Sequence, residues 1–180
     1  MKGIIFTEFM EMVEAKWGLD TVNQLVETVQ PASQGAYTTV GTYEFSELEA
    51  YLIQLIGVSG LSLETLLRAF GNHLAGTFVT KFPDFFSDAH CTFDVLKKVD
   101  DHIHVEVLKL YPDANLPKFD YEQRSDKQLL MKYQSSRNLA DLGQGIIEGC
   151  AQHFNETMTI SRESKNDGDM YREDFLLTIE

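Results

Sequence analysis

Apolar residues recur at helical spacing through the first 110 or so positions, and alternation takes over beyond them. Ile5, Phe9, Val13 and Trp17 fall four apart and are followed by Val22, Leu25 and Val26, a pattern that predicts two consecutive helices broken near Gly18. Pro31 and the two glycines between Ser33 and Thr42 mark a loop. Ser46 opens the next predicted helix: it stands three residues before Glu49 as in a capping box, with Leu48, Leu52, Leu55 and Ile56 on the buried face and Gly57 and Gly60 at the end. Leu63, Leu66, Leu67, Phe70 and Leu74 share one side of a fourth helix from Ser62 to about Val79, and Pro83 breaks the chain before Phe85 and Phe86.

The longest amphipathic pattern covers Cys91 to Leu110, with Phe93, Leu96, Val99, Ile103, Val107 and Leu110 spaced by three and four and Tyr111-Pro112 as its stop. Lys118 to Arg124 and Gln128 to Arg137 then read as two strands of a hairpin around Ser125-Asp126-Lys127. A helix from Leu139 to about Phe154 follows. Thr157 to Ser164 and Met170 to Ile179 supply a second strand pair across Lys165-Asn166-Asp167-Gly168-Asp169, whose Asp-Gly step suits a hairpin. The predicted class is α+β, a single domain over 1–180 in which a helical N-terminal lobe (1–60) meets a lobe (61–180) with a four-stranded antiparallel sheet and packed helices.

With 180 residues, 43% of them hydrophobic, the chain is long enough to bury a sizeable core. Twenty-eight acidic against fifteen basic residues give a formal charge of -13, a field that disfavours nucleic acid and anionic membrane surfaces as partners. The opening apolar run is interrupted by Glu8 and Glu11, so it lacks the core of a signal peptide, and no stretch has the length of a membrane span. Cys91 and Cys150 match no paired-cysteine zinc pattern, and two reduced thiols in a cytoplasmic protein are the expectation.

Five histidines are present, and His104 is the informative one. On a continuous helix it falls beside Phe93, Val107, Leu108 and Tyr111, an apolar flank, whereas His102 falls beside Lys98, Glu106 and Lys109. An imidazole in such a setting is either a boundary residue bonded to a carbonyl or a metal ligand. Zinc is disfavoured, because Asp100 and Asp101 carry no partnering Cys or His at ligand spacing, and His73, His90 and His153 are scattered singly, as expected of surface or helix-end residues. Downstream, Met131, Tyr133, Ser135 and Arg137 project from one strand face. Two hydroxyls and a guanidinium in a row suit a dicarboxylate, Arg being able to hold one carboxylate bidentately. An ordinary polar strand face, with Arg137 paired to an acidic neighbour, is the alternative.

Taken in register, these residues carry a resemblance. The opening Met-Lys-Gly-Ile-Ile, the helix with His104 followed by Tyr111-Pro112, Pro117 thirteen residues past the histidine, Tyr133-Gln134-Ser135-Ser136-Arg137 and Gly145-Ile146-Ile147-Glu148-Gly149 resemble the haem-nitric oxide/oxygen binding (H-NOX) domains. These are gas-sensing modules found alone in bacteria and as the haem domain of soluble guanylate cyclase. The likeness spans essentially the whole chain. It implies haem b as cofactor, His104 as the proximal iron ligand, Tyr133, Ser135 and Arg137 as the propionate-binding residues, and Pro117 as the proline that presses on the porphyrin and bends it. It also implies a distal pocket of Ile5, Phe9, Leu74, Leu142 and Ile146.

In oxygen-binding members a distal tyrosine donates a hydrogen bond to the bound gas, and the matching position here is Leu142. Loss of such a bond to a charged acceptor costs about 1.5–3 kcal/mol, or roughly tenfold to a hundredfold in affinity. Tyr37, Tyr43 and Tyr51 lie on none of the helices expected to face iron. The resemblance therefore implies a five-coordinate ferrous sensor of nitric oxide and carbon monoxide that discriminates against oxygen. It is not expected to be an enzyme, since Arg68 and His73 do not share a helical phase beside Leu74 that would serve peroxide chemistry. With no kinase or cyclase segment before Glu180, the output is expected to pass in trans, as in bacterial relatives, to a histidine kinase or a cyclic-di-GMP enzyme. A haem carrier or oxygen store without a signalling role is the alternative function, and it needs no strain at Pro117.

Overall fold

The computed structural model describes residues 1–165 and 168–180. Helices α1 (Gly3–Trp17) and α2 (Leu19–Val29) meet at Gly18, as the spacing predicted; its φ of 88° turns the chain sharply between them. The loop that follows folds back on the N-terminus, where Gly3 and Ile4 donate to the carbonyls of Gly41 and Thr39. Helix α3 spans Phe45–Ser59, and here the capping-box expectation fails. Glu44 precedes the first turn, no side chain caps it, and Ser46 and Glu49 lie inside the helix. Packing of Phe45 onto the helical core accounts for the earlier start. Gly57 is helical, and only Gly60, at φ 70°, terminates the element.

Helix α4 (Leu63–Lys81) is the longest element and starts where the pattern predicted, capped by Ser62, whose Oγ accepts from Thr65 N. A 3-10 turn at Pro83–Phe85 follows. The long helix expected over Cys91 to Leu110 is instead three pieces, namely α5 (Thr92–Leu96), a π turn (Val99–Ile103) and α6 (His104–Leu110). Phe93 and Leu96 are buried as predicted, whereas Leu110 is 70% exposed.

Strands β1 (Lys118–Ser125), β2 (Gln128–Ser135), β3 (Met158–Ser164) and β4 (Tyr171–Ile179) form one antiparallel sheet in the order β1-β2-β4-β3, so the two hairpins join through β2 and β4. The Asp-Gly step of the second turn falls at Asp167, outside the described residues. Helix α7 (Ala140–His153) connects the two halves of the sheet. It serves two cores at once. Leu142 and Ile146 belong to a helical cluster built on Phe6, Phe9, Tyr51, Leu66, Phe70 and Leu74, while Ala140 and Ile147 join Phe93, Leu129, Met131, Tyr133 and Phe175 under the sheet.

The α4–α7 crossing depends on glycine. A Cβ on Gly71 would stand 2.2 Å from the Leu142 carbonyl oxygen, and one on Gly145 would stand 2.1 Å from that of Arg68. Backbone meets backbone there, and this close approach presses Leu142 and Ile146 into the helical cluster. No single described helix is long and apolar enough to cross a membrane.

Candidate functional site

His104 follows directly on the π turn. Ile103 N donates to the Lys98 carbonyl and His104 N to that of Val99, each five residues back rather than four. One extra residue per turn rotates everything downstream, so the flank expected from a continuous helix does not form. Leu108 is 39% exposed, and the imidazole lies instead beside Phe119 of β1, with ring centroids 5.8 Å apart. Its Nδ1 stands 2.7 Å from Oδ1 of Asp100, whose Oδ2 accepts from Phe119 N at 2.6 Å. Burial pushes the His104 pKa below its ordinary 6.5, and the Asp100 charge only partly offsets that, so the ring is neutral at pH 7. A neutral imidazole keeps one nitrogen lone pair for a metal. His102 is exposed, as expected, and meets Phe85 edge-on.

The strand row starts as predicted and ends differently. Tyr133 and Ser135 are buried on one face of β2, and Phe119 pairs with Tyr133 across the β1–β2 ladder, which sets the histidine and the row on neighbouring positions. Arg137 lies past the strand, in the bend before α7, because the ladder stops at Ser135. Local hydrogen bonds shape this bend: Ser135 Oγ accepts from Arg137 N at 3.1 Å, and the Tyr133 hydroxyl donates to the Arg137 carbonyl at 3.1 Å. The guanidinium donates to the Asn115 carbonyl and lies over the ring of Phe45, 5.3 Å from its centroid. Among the described residues the guanidinium makes one hydrogen bond, to Asn115, which leaves further N–H donors, while the Ser135 hydroxyl lies beside that of Tyr133. Pro117 is half-buried in the stretch between Asn115 and β1. His104, Pro117, Tyr133, Ser135 and Arg137 thus gather around the start of β1 and the end of β2.

The five apolar residues lie together in the helical cluster: Phe9, Leu74 and Leu142 are buried, and Ile5 and Ile146 pack against them partly exposed. Tyr51 departs from expectation. It is fully buried in the same cluster, with its ring 6.2 Å from that of Phe9. Its hydroxyl is engaged by that of Tyr37, which donates to Glu47 at 2.7 Å, and the Tyr43 hydroxyl accepts from Thr38 N.

Sequence reasoning missed Glu8. This carboxylate is 1% exposed and is reached from α4 by Thr77 Oγ1 at 2.6 Å, Lys81 Nζ at 2.5 Å and His73 Nε2 at 3.2 Å. His73 is therefore an interior helix residue rather than a helix-end one. Glu8, Glu11 and His73 have metal-compatible spacing, but the Lys81 ammonium already supplies the countercharge. Arg68 pairs with Glu148, away from His73, so no His/Arg pair forms on this side.

The donor set fits a haem: a neutral imidazole on one side, and hydroxyl and guanidinium donors for acidic side arms beside it. Two buried polar atoms belong to this region: the Tyr121 hydroxyl, without a partner among the described residues, and Asp100 Oδ1, which has only the His104 ring beside it at 2.7 Å. The haem-NO-binding family matches residues 2–162, and the chain belongs to that family. Among solved structures, the Fe(II) unliganded H-NOX protein from K. algicida is similar over 100% of this chain and 97% of that one, with 34% identity and a TM-score of 0.92. The IWP-051-bound H-NOX from Shewanella woodyi, in the Fe(II)CO ligation state, is 37% identical over 99% of this chain and 94% of that one, with a TM-score of 0.84. An oxygen-binding H-NOX domain related to soluble guanylate cyclases shares the fold, with a TM-score of 0.87 at 20% identity over 100% of this chain and 95% of its own. A comparison with curated proteins returned no match.

Proposed function

We propose that this haem-binding gas-sensor domain holds haem b on His104, takes nitric oxide or carbon monoxide, discriminates against oxygen, and signals in trans. The observation that carries the reading is the convergence of a neutral, half-buried His104 and the Tyr133, Ser135 and Arg137 donors on one end of the sheet, opposite an apolar cluster. When bound, haem would supply the iron that takes the gas, and His104 would hold that iron. Tyr133, Ser135 and Arg137 would hold its propionates, and Pro117, stiffened by its ring and by the adjoining strand, would press on the macrocycle.

Gas selectivity rests on the helical side. Leu142 and Ile146 offer no donor, while the Tyr37 hydroxyl is taken up by Glu47, that of Tyr51 lies 3.4 Å from it, and that of Tyr43 is held at Thr38. A gas that accumulates negative charge on its outer atom is left unsatisfied there.

The division into lobes at 1–60 and 61–180 is part of this proposal, with α4 and α7 packing across it. Movement of His104 would pass along α6 to Tyr111 and Asp113, which Lys2 grips through a 2.7 Å ion pair and a cation–π contact at 5.1 Å. Displacement on one side thereby reaches α1 on the other. Helix α6 exposes Val105 and Leu108 on one flank, an apolar strip suited to an effector in trans, a histidine kinase or cyclic-di-GMP enzyme of the cytoplasm. Such a role is that of a sensor rather than a catalyst.

The test is the absorption spectrum of the reduced protein before and after air, carbon monoxide and nitric oxide. A Soret band that shifts with the last two gases and not with air is expected, and Leu142→Tyr should raise oxygen affinity roughly tenfold to a hundredfold. A stable oxygen complex of the unaltered protein contradicts the selectivity reading.

A further inference from the structure

Asp100 lies on the π turn one turn before His104, and its two oxygens face different elements. Oδ2 accepts from Phe119 N at 2.6 Å, which fastens the turn to the first residues of β1, immediately after Pro117. Oδ1 is buried, has no aligned hydrogen-bond donor, and stands 2.7 Å from Nδ1 of His104. Among the described residues it has no rival partner. Lys98, the nearest cation in sequence, pairs with Asp88, and the Tyr121 hydroxyl, which feels the charges of both Asp100 and Asp101, is itself without a partner. A buried carboxylate oxygen beside a single ring N–H is an acceptor held ready for that ring.

We propose that Asp100 is the positioning residue of the iron ligand: it fixes the tautomer of His104 with Nε2 toward the metal, makes the imidazole a stronger donor, and ties its orientation to the Pro117–Phe119 segment. Asp100 and His104 stand four residues apart, neighbours on one flank of the chain, so Oδ1 reaches the imidazole while Oδ2 accepts from the sheet. A carboxylate that draws on the Nδ1 proton increases the basicity of the other nitrogen, so the iron–histidine link is strengthened. In a nitric oxide sensor the ease of giving up that link sets the threshold of the response. Asp100 would therefore make this chain hold its histidine longer under nitric oxide than an equivalent chain with a neutral residue there.

This rests on the haem-binding reading, and the test separates the two. The ferrous holoprotein, Asp100→Asn and Asp100→Glu would be compared by resonance Raman for the iron–histidine stretch, by the fraction of the nitric oxide form that retains histidine, and by thermal unfolding. Asp100→Asn should lower the stretching frequency and speed histidine loss roughly tenfold, with Asp100→Glu restoring part of both. Haem lost from Asp100→Asn at unchanged unfolding temperature also supports the assignment. A stretch and a histidine-loss rate equal to those of the parent in both variants, with haem retained, overturn the role of Asp100 and leave the haem reading standing. An unaltered protein without a Soret band overturns both.

Discussion

The helical cluster and the surroundings of His104 are built to opposite standards. In the first, Phe6, Phe9, Tyr51, Phe70 and Leu74 are closed from solvent, and the single buried carboxylate, Glu8, has three donors from one helix. In the second, no residue between Val99 and Leu110 is fully buried, the helix breaks its own hydrogen-bond pattern, and Asp100 Oδ1 and the Tyr121 hydroxyl lack aligned partners. Native interiors satisfy their polar groups, so each exception calls for a reason; two of the three among the described residues lie in this region, and the third, Thr92 Oγ1, is at the start of α5. The contrast teaches that the helical cluster is the stable scaffold and that the turn carrying His104 is the adaptable part.

The largest effect that would break this comparison belongs to Glu8. Replacing it with Gln removes a charge from a satisfied network and should cost about 1.5–3 kcal/mol in urea unfolding. Burial alone would raise the Glu8 pKa, but the hydrogen bonds from Lys81 and Thr77 outweigh it and hold it below the ordinary 4.5. A depressed carboxylate contributes its stability fully above the unfolded value. That contribution is lost as pH falls through the lower folded value, below about 4.5, so Glu8→Gln should flatten the acid limb of the stability curve. A variant as stable as the parent at pH 7 would show the network to be ornamental.

The smallest effect sharpens the other side. Tyr121→Phe removes a hydroxyl that has no partner, so stability in the same assay should change by no more than about 0.5 kcal/mol, or rise. A loss above about 1 kcal/mol would mean that the hydroxyl has a partner after all.

Much of this was legible in the residues, for reasons that also explain the gaps. Alternation from Met131 to Ser135 gave both the strand and its buried face, because a two-residue repeat admits one solution once one side is apolar. The break at Gly18 and the start of α4 after Ser62 were equally plain. The π turn was not. Val99, Ile103 and Val107 fall four apart whether or not the backbone takes up an extra residue, so periodicity is blind to it. Arg137 was drawn into the strand because alternation does not announce where pairing stops. Glu8 read only as an interruption of an apolar run, although His73, Thr77 and Lys81, four apart on α4, were the visible half of its network. Asp100 was weighed only as a zinc ligand, since its link to Phe119 is tertiary.

The central claim is that the His104 imidazole is what binds iron, and it is tested most directly by His104→Gly produced with and without imidazole in the medium. The account predicts a colourless, folded protein without imidazole, and a Soret band and nitric oxide response restored when imidazole occupies the vacated space. A His104→Gly protein that purifies with the same haem content and spectrum as the parent, with no added imidazole, would contradict it.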